Sequence, residues 1–228
     1  MCYRNRPGFT LIELLTVIAI IGVLAAILIP AVGAVQESAR KSNGAASMRE
    51  VGSALHLYTQ EHDSRYPGPL WPGQVPLYDP DRGEEDGRLA YYLAPYLDVP
   101  TNATPPVLVE AMVPAAYPID ELYQSSSDEP RTYILNIKAK NPNSSELINV
   151  WGLHPDMADD ESESIPQATA RIIAPATTWA LMDVDQLHPN AGVWKSNTPE
   201  KPIYGDVRQV LFFDGHVEEV DVSQGLPD

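Results

Sequence analysis

The sequence predicts an α+β protein, with a long N-terminal α-helix packed on an antiparallel β-sheet head. Three observations predict it. Residues 14–29 carry no charge, an apolar stripe at helical spacing follows on an otherwise polar stretch, and the chain closes on two apolar runs joined by Asp214-Gly215. The 228 residues suit one ordinary domain with an appendage, or two small domains. They carry 15 Lys and Arg against 31 Asp and Glu, a net charge of −16. That balance excludes a nucleic-acid binder, which needs a basic face for phosphate. The one cysteine, Cys2, excludes an internal disulfide framework, and 22 prolines predict a loop-rich body.

The first element begins after a short polar piece containing Arg4 and Arg6. The charge-free run alone is slightly short of the ~20 residues that cross a bilayer. Residues 9–35, which include one glutamate, give about 40 Å of helix, which is enough. Arginines before this stretch and a strongly acidic body after it predict a cytoplasmic N-terminus and an exported body. A secretory signal peptide has a similar basic, apolar and small-residue succession. Against it, the apolar run is long for such a segment, and Glu13 stands at its head. A carboxylate in hydrocarbon costs about 2.5–3.5 kcal/mol on insertion scales.

Gly8-Phe9-Thr10-Leu11-Ile12-Glu13 and the uncharged run behind it closely resemble the leader junction of type IV pilins and type II secretion pseudopilins. The resemblance is dense over residues 8–30 and fades beyond about residue 65. It implies a leader over residues 1–8, cut between Gly8 and Phe9 by a prepilin peptidase that then methylates the Phe9 amine. It implies that Glu13 is the assembly glutamate, that Pro30 is a helix-loosening proline, and that residues 9–35 are both the transmembrane segment and the filament core. The implied partners are further copies, other pilin-like subunits, the peptidase, an inner-membrane assembly platform and the lipid bilayer. The implied location is a bacterial inner membrane, crossed once, with the head periplasmic or extracellular.

The residue types suit that chemistry. Glycine keeps the backbone slim for a protease. Cleavage creates an α-amine of reference pKa near 7.7–8.0, and methylation leaves it a cation. Glu13 lies four residues on, near the same helical face. In a filament it can pair with the Phe9 amine of a neighbouring copy, neutralising a charge otherwise stranded in lipid and setting the axial register. The other reading is a glutamate that snorkels to the headgroups.

Pro30, with Gly33 nearby, predicts a kink or a melted turn rather than a helix end, because the helical pattern resumes. Residues 36–65 form the amphipathic half, with a stripe of Met48, Val51, Leu55, Tyr58 and His62 at spacings of three and four. Arg40, Lys41 and Arg49 are expected toward solvent or acidic neighbours. The whole helix is expected over residues 10–62, on the order of 80 Å long. His56 and His62 lie six apart on different faces, without an HExxH pattern, and are expected to pack or to sit at the rim.

Tyr66-Pro67-Gly68-Pro69 ends the helix and opens the head, residues 66–228, which carries nine Lys and Arg against twenty-six Asp and Glu. Residues 79–88 and the acidic residues 156–164 are expected to be loops. Strands are expected over 131–137, 170–173, 178–182 and 192–194. The strongest signal is a hairpin of 207–213 and 216–222 across Asp214-Gly215. That hairpin also resembles the C-terminal pattern of some pilin-like proteins in which a histidine precedes Asp-Gly by ten positions. Here Tyr204 fills the slot, so no role tied to that histidine carries over.

No catalytic motif emerges: GxSxG, a Walker loop and CxxC are absent and the five histidines are scattered, so the chain is not expected to be an enzyme. No cofactor is expected. Calcium is the one metal entertained, since major secretion pseudopilins often bind it. Asp183, Asp185, Asp206 and Asp214 are hard oxygen donors, though their spacing matches no loop motif. Trp71, Trp151, Trp179 and Trp194 are expected in the core. The functional expectation is a structural subunit of a type II secretion pseudopilus or a type IV pilus, tilted to the former because no C-terminal cysteine pair is present. The alternative is a membrane-tethered binding module or adhesin that uses the leader for export.

Overall fold

The computed structural model describes residues 10–100, 106–125, 129–140, 147–158, 164–167, 172 and 174–225. The chain divides into two units, Met1–Ala39 and Arg40–Asp228. Helix α1, Leu11–Glu61, contributes to both. It runs through Pro30 without ending, and stops one residue short of the expected end. Asp63 and Ser64 turn left-handed there, and the Ser64 N–H donates to the Thr59 carbonyl at 2.8 Å, satisfying one of the last free acceptors.

In the first unit, all fifteen Leu, Ile and Val side chains between Leu11 and Val35 are exposed. An apolar surface of this extent is uncovered in water and calls for lipid or protein around it.

In the second unit, residues 40–61 of α1 lie on a five-stranded antiparallel sheet. Its strands are β1 (Gly73–Gln74), β4 (Tyr133–Leu135), β7 (Trp179–Asp183), β8 (Val207–Phe212) and β9 (Val217–Asp221), neighbours in that order. Period-2 alternation divides the strand residues between two cores. Tyr133, Leu135, Leu181 and Leu211 join Met48, Val51 and Leu55 of α1 in the larger one. Ile134, Met182, Val210 and Phe212 form the smaller one on the opposite face. A bulge between Trp179 and Leu181 puts Trp179 in the smaller core and both Ala180 and Leu181 in the larger. Burying Met48, Val51 and Leu55 contributes about 1.5–3 kcal/mol each, and this fixes which face of α1 meets the sheet. Tyr58 packs on the edge of that core and His62 stacks on it at 3.8 Å, completing the expected stripe.

The final hairpin forms as expected: Leu211 faces Val217, and the Gly215 N–H donates to the Phe212 carbonyl at 2.9 Å. Gly215 has φ +92°, a conformation that a side chain disfavours. Strand β9 is the outer strand of the sheet, and Glu218 and Glu219 on it are exposed. Two further ribbons are short: β2 (Leu77–Tyr78) with β3 (Val107–Leu108), and β5 (Ala139–Lys140) with β6 (Leu147–Ile148). Helices α2 (Leu89–Leu93) and α3 (Ile119–Ser125) were not expected from periodicity, being too short to show one.

The strand expected over 192–194 is a correction. Gly192–Asn197 forms a 3₁₀-helix, which Thr198 closes by donating its N–H and hydroxyl to the Lys195 carbonyl at 3.1 and 2.8 Å. Ser, Asn and Thr following the short apolar run supply turn chemistry that overrides its strand propensity. Residues 79–88 form a loop containing a 3₁₀ turn, Glu84–Asp86, tied by ions. Arg82 reaches Asp79, Asp86 and Glu129 at 3.3–3.5 Å, and buried Arg88 pairs with Asp86 and Glu129. Of the expected strand 170–173, only Ile172 is described, and residues 159–163 of the acidic stretch lie outside the described residues.

Candidate functional site

The α1 N-terminus holds the described part of the motif. Gly8 and Phe9 lie outside the described residues. Thr10 stands just before the first helical residue, and Glu13 is three positions on. The Thr10 N–H and hydroxyl donate to the same Glu13 oxygen, Oε2, at 2.8 and 2.7 Å, and the Glu13 N–H donates back to Thr10 Oγ1 at 3.3 Å. This is a capping box, which satisfies orphan N–H groups of the first turn with side chains of that same turn. It also gives the Glu13 carboxylate two donors in an apolar stretch, reducing the cost of keeping it there. Thr10 was not singled out from sequence, although Thr-x-x-Glu before an apolar run is a legible capping signal.

The four acidic calcium candidates do not converge. Asp183 and Asp185 are buried. Asp185 takes two hydrogen bonds from buried Arg208, at 2.6 Å from Nε and 3.0 Å from Nη2, and a third from the Leu187 N–H at 2.8 Å. Asp183 accepts from the Gln209 N–H at 3.0 Å. Asp206 and Asp214 are exposed at opposite ends of β8, roughly 20 Å apart by strand rise. Asp214 is held by His216, whose backbone N–H donates at 3.1 Å and whose Nδ1 lies at 2.5 Å. Burial would raise its pKa, but these contacts hold it below the usual carboxylate value. Among the described residues, no group of three or more His, Cys, Asp or Glu side chains is placed to hold a metal ion.

The histidines also separate. His154 stacks on Trp71 at 3.9 Å, His216 stacks on Phe212 at 4.4 Å, and His188 is buried. Burial, aided by Arg208, pushes His188 down to about 4, so it is neutral near pH 7. His56 is exposed near the hairpin turn, where a Cβ added at Gly215 would lie 3.1 Å from its Nε2. Trp151 and Trp179 are buried and Trp71 is half-buried. Tyr204 is buried, and a Cβ added at Gly44 of α1 would stand 1.9 Å from its hydroxyl oxygen. The slot that departs from the histidine pattern is therefore a packing contact between head and helix.

Residues 3–29 match the family described as the prokaryotic N-terminal methylation motif. The chain is 38% identical over 64 residues to the type II secretion system core protein G of Dickeya chrysanthemi, covering 28% of this chain and 41% of the relative. It is 43% identical over 61 residues to the type IV wide pilus major component PilA4 of Thermus thermophilus, covering 27% and 47%. It is 34% identical over 55 residues to the core protein G of Pseudomonas aeruginosa, covering 24% and 39%. Each match spans less than half of the relative's length. No solved structure matches the chain. The resemblance read from residues 8–30 is thus shared by named pseudopilin and pilin proteins.

Proposed function

We propose that this chain is a structural pilin-like subunit, cut between Gly8 and Phe9, methylated at Phe9, and assembled through α1 into a type II secretion pseudopilus or a type IV pilus. The observation that carries this reading is the methylation motif leading directly into a helix whose fifteen Leu, Ile and Val side chains are all exposed. Such a surface suits lipid before assembly and neighbouring helices after it. Glu13 supplies the one carboxylate in the stretch, and the new Phe9 amine of an adjacent copy supplies its counter-charge. In the isolated chain Thr10 donates to this carboxylate, and in the filament the amine joins or replaces Thr10. Pro30 supplies a point where α1 bends or loosens as copies pack. The head projects on the periplasmic or outer side, with the peptidase and the assembly platform as membrane partners. Arg208 already engages Asp185, which removes that carboxylate as a calcium ligand.

Intact-mass and N-terminal fragment spectra of the purified chain test this reading. The expected N-terminus is Phe9 carrying one added methyl. A chain still beginning at Met1, or beginning after the apolar run, overturns it. Gly8→Leu should retain the precursor mass, and normal maturation of that variant would refute the cut site.

A further inference from the structure

Beneath residues 41–44 of α1, four polar side chains of the head share one buried location. Tyr133 on β4 lies in register with Asp183 on β7, and Gln209 on β8 donates its backbone N–H to Asp183 Oδ2 at 3.0 Å. Tyr204 feels the charge of Asp183, as does Tyr133. Tyr204 Oη and Gln209 Oε1 both abut Gly44, where an added Cβ would stand 1.9 and 2.7 Å from them. Gln209 also reaches the helix, its Nε2 donating to the Lys41 carbonyl at 2.6 Å. Tyr133 is 0% exposed, Asp183 3% and Gln209 0%. Among the described residues, Tyr133 Oη, Asp183 Oδ1 and Gln209 Oε1 have no hydrogen-bond partner.

Buried polar atoms left unpaired cost about 1–3 kcal/mol each, more when charged, so such a group is rarely neutral to stability. Asp183 decides the matter because its carboxyl can gain a donor. With a proton it offers one O–H to an acceptor, and Gln209 Oε1 is the unpaired acceptor on the same residue that already holds Oδ2. Without the proton, the buried carboxylate has no O–H to offer Gln209 Oε1 and draws instead on the Gln209 N–H and the Tyr133 hydroxyl, which rearranges the cluster.

We propose that this cluster is a proton-operated clasp: with a proton on Asp183 it fastens the head to the turn of α1 at residues 41–44, and release of that proton to solvent loosens the fastening. Tyr133 on β4 is a neutral phenol, its pKa raised first by burial. Asp185, just past β7, disfavours ionisation of Asp183, while Arg208 on β8 favours it but is committed to Asp185 through two hydrogen bonds. Tyr204 is likewise raised by burial and feels Glu219 of β9 weakly. Lys41 on α1 contributes its carbonyl to the clasp. Burial is the largest influence on Asp183 and pushes its carboxyl up to about 8.

The test uses the full-length chain in detergent micelles. Carboxyl ¹³C shifts followed against pH should give Asp183 a midpoint above 7. Amide exchange, corrected for its intrinsic pH dependence, should show protection over residues 41–48 falling at least tenfold between pH 6.5 and 9, with a smaller loss at the β8–β9 hairpin. Asp183→Asn should keep that protection at both values. A wild-type midpoint below 6 overturns the proposal without recourse to any variant. So does protection over residues 41–48 that is unchanged with pH, or that falls equally in Asp183→Asn.

Discussion

The side-chain amide of Gln209 donates to the backbone carbonyl of Lys41 across 2.6 Å, joining β8 to α1 over 168 residues of sequence. A helical carbonyl usually accepts from four residues on, so this bond is additional to the helix's own pattern and specific to the head. Gln209→Leu removes it and leaves in place the backbone N–H that donates to Asp183. The expected result is a loss of about 1–2 kcal/mol, read as a lower thermal midpoint of the detergent-solubilised chain with its helix content unchanged at low temperature.

Gly44 permits the close approach at the same contact. Gly44→Ala places a methyl against the Tyr204 ring, where the hydroxyl and Cζ would be 1.9 and 2.6 Å away. In an exposed helix this change is stabilising by roughly 1 kcal/mol, so a destabilised variant reports the contact rather than the helix. Combining it with Tyr204→Leu should recover part of the loss. Additive losses in denaturant titrations would argue against a shared contact.

Arg208 of β8 and Asp185, just past β7, form a buried ion pair in the head. Arg208→Met leaves Asp185 unpaired and should cost about 3–5 kcal/mol, while Arg208→Met with Asp185→Leu should be far milder. A double variant as unstable as the single one would show that packing, not charge, dominates there.

Stability should depend on pH through two groups of opposite sign. His188 has a folded pKa near 4, below its unfolded value near 6.5, so its contribution is complete above 6.5 and is lost as pH falls through 4. Asp183 has a folded pKa near 8, above its unfolded value near 3.9. Its contribution is therefore fullest in acid and is lost as pH rises from about 4 through 8. The two slopes oppose each other between about 4 and 6.5, and only the Asp183 slope remains between 6.5 and 8. Unfolding midpoints should therefore be level across the lower window and decline across the upper. His188→Gln should give a decline that begins in the lower window.

Glu13→Leu should leave cleavage and membrane insertion intact and abolish assembly. Filament yield by electron microscopy, or secretion in a complemented strain, reads the outcome beside the mature mass. Normal filaments from that variant would exclude the proposed charge pairing.

How much of this was visible in the sequence depends on the length of each signal. The helix was legible because its signal extends over 51 residues, and the terminal hairpin because Asp-Gly between apolar runs has a single local solution. Strands β4 and β7 were legible as apolar segments, but their partners were not, since pairing of 133–135 with 181–183 is set by tertiary packing. Two-residue strands such as β1 and β5 carry no period at all. At the helix start, Glu13 stood out because a charge in an apolar run is anomalous, whereas the hydroxyl of Thr10 is not. The Gly44, Tyr204 and Gln209 contact was invisible for another reason: it joins residues about 160 positions apart, and none of them is unusual alone. The acids Asp183 and Asp185 looked like metal ligands because composition does not reveal which carboxylate is already answered by an arginine.

Strand β9 ends the strand order of the five-stranded sheet, with Glu218 and Glu219 exposed on it. An unpaired strand edge is an invitation to add another strand and so to grow into amyloid-like stacks, and neighbouring glutamates with a net-negative head repel that addition. Crowded copies of this chain are thereby discouraged from fusing sheet to sheet, which on the proposed reading leaves the greasy rod to carry the contacts between them.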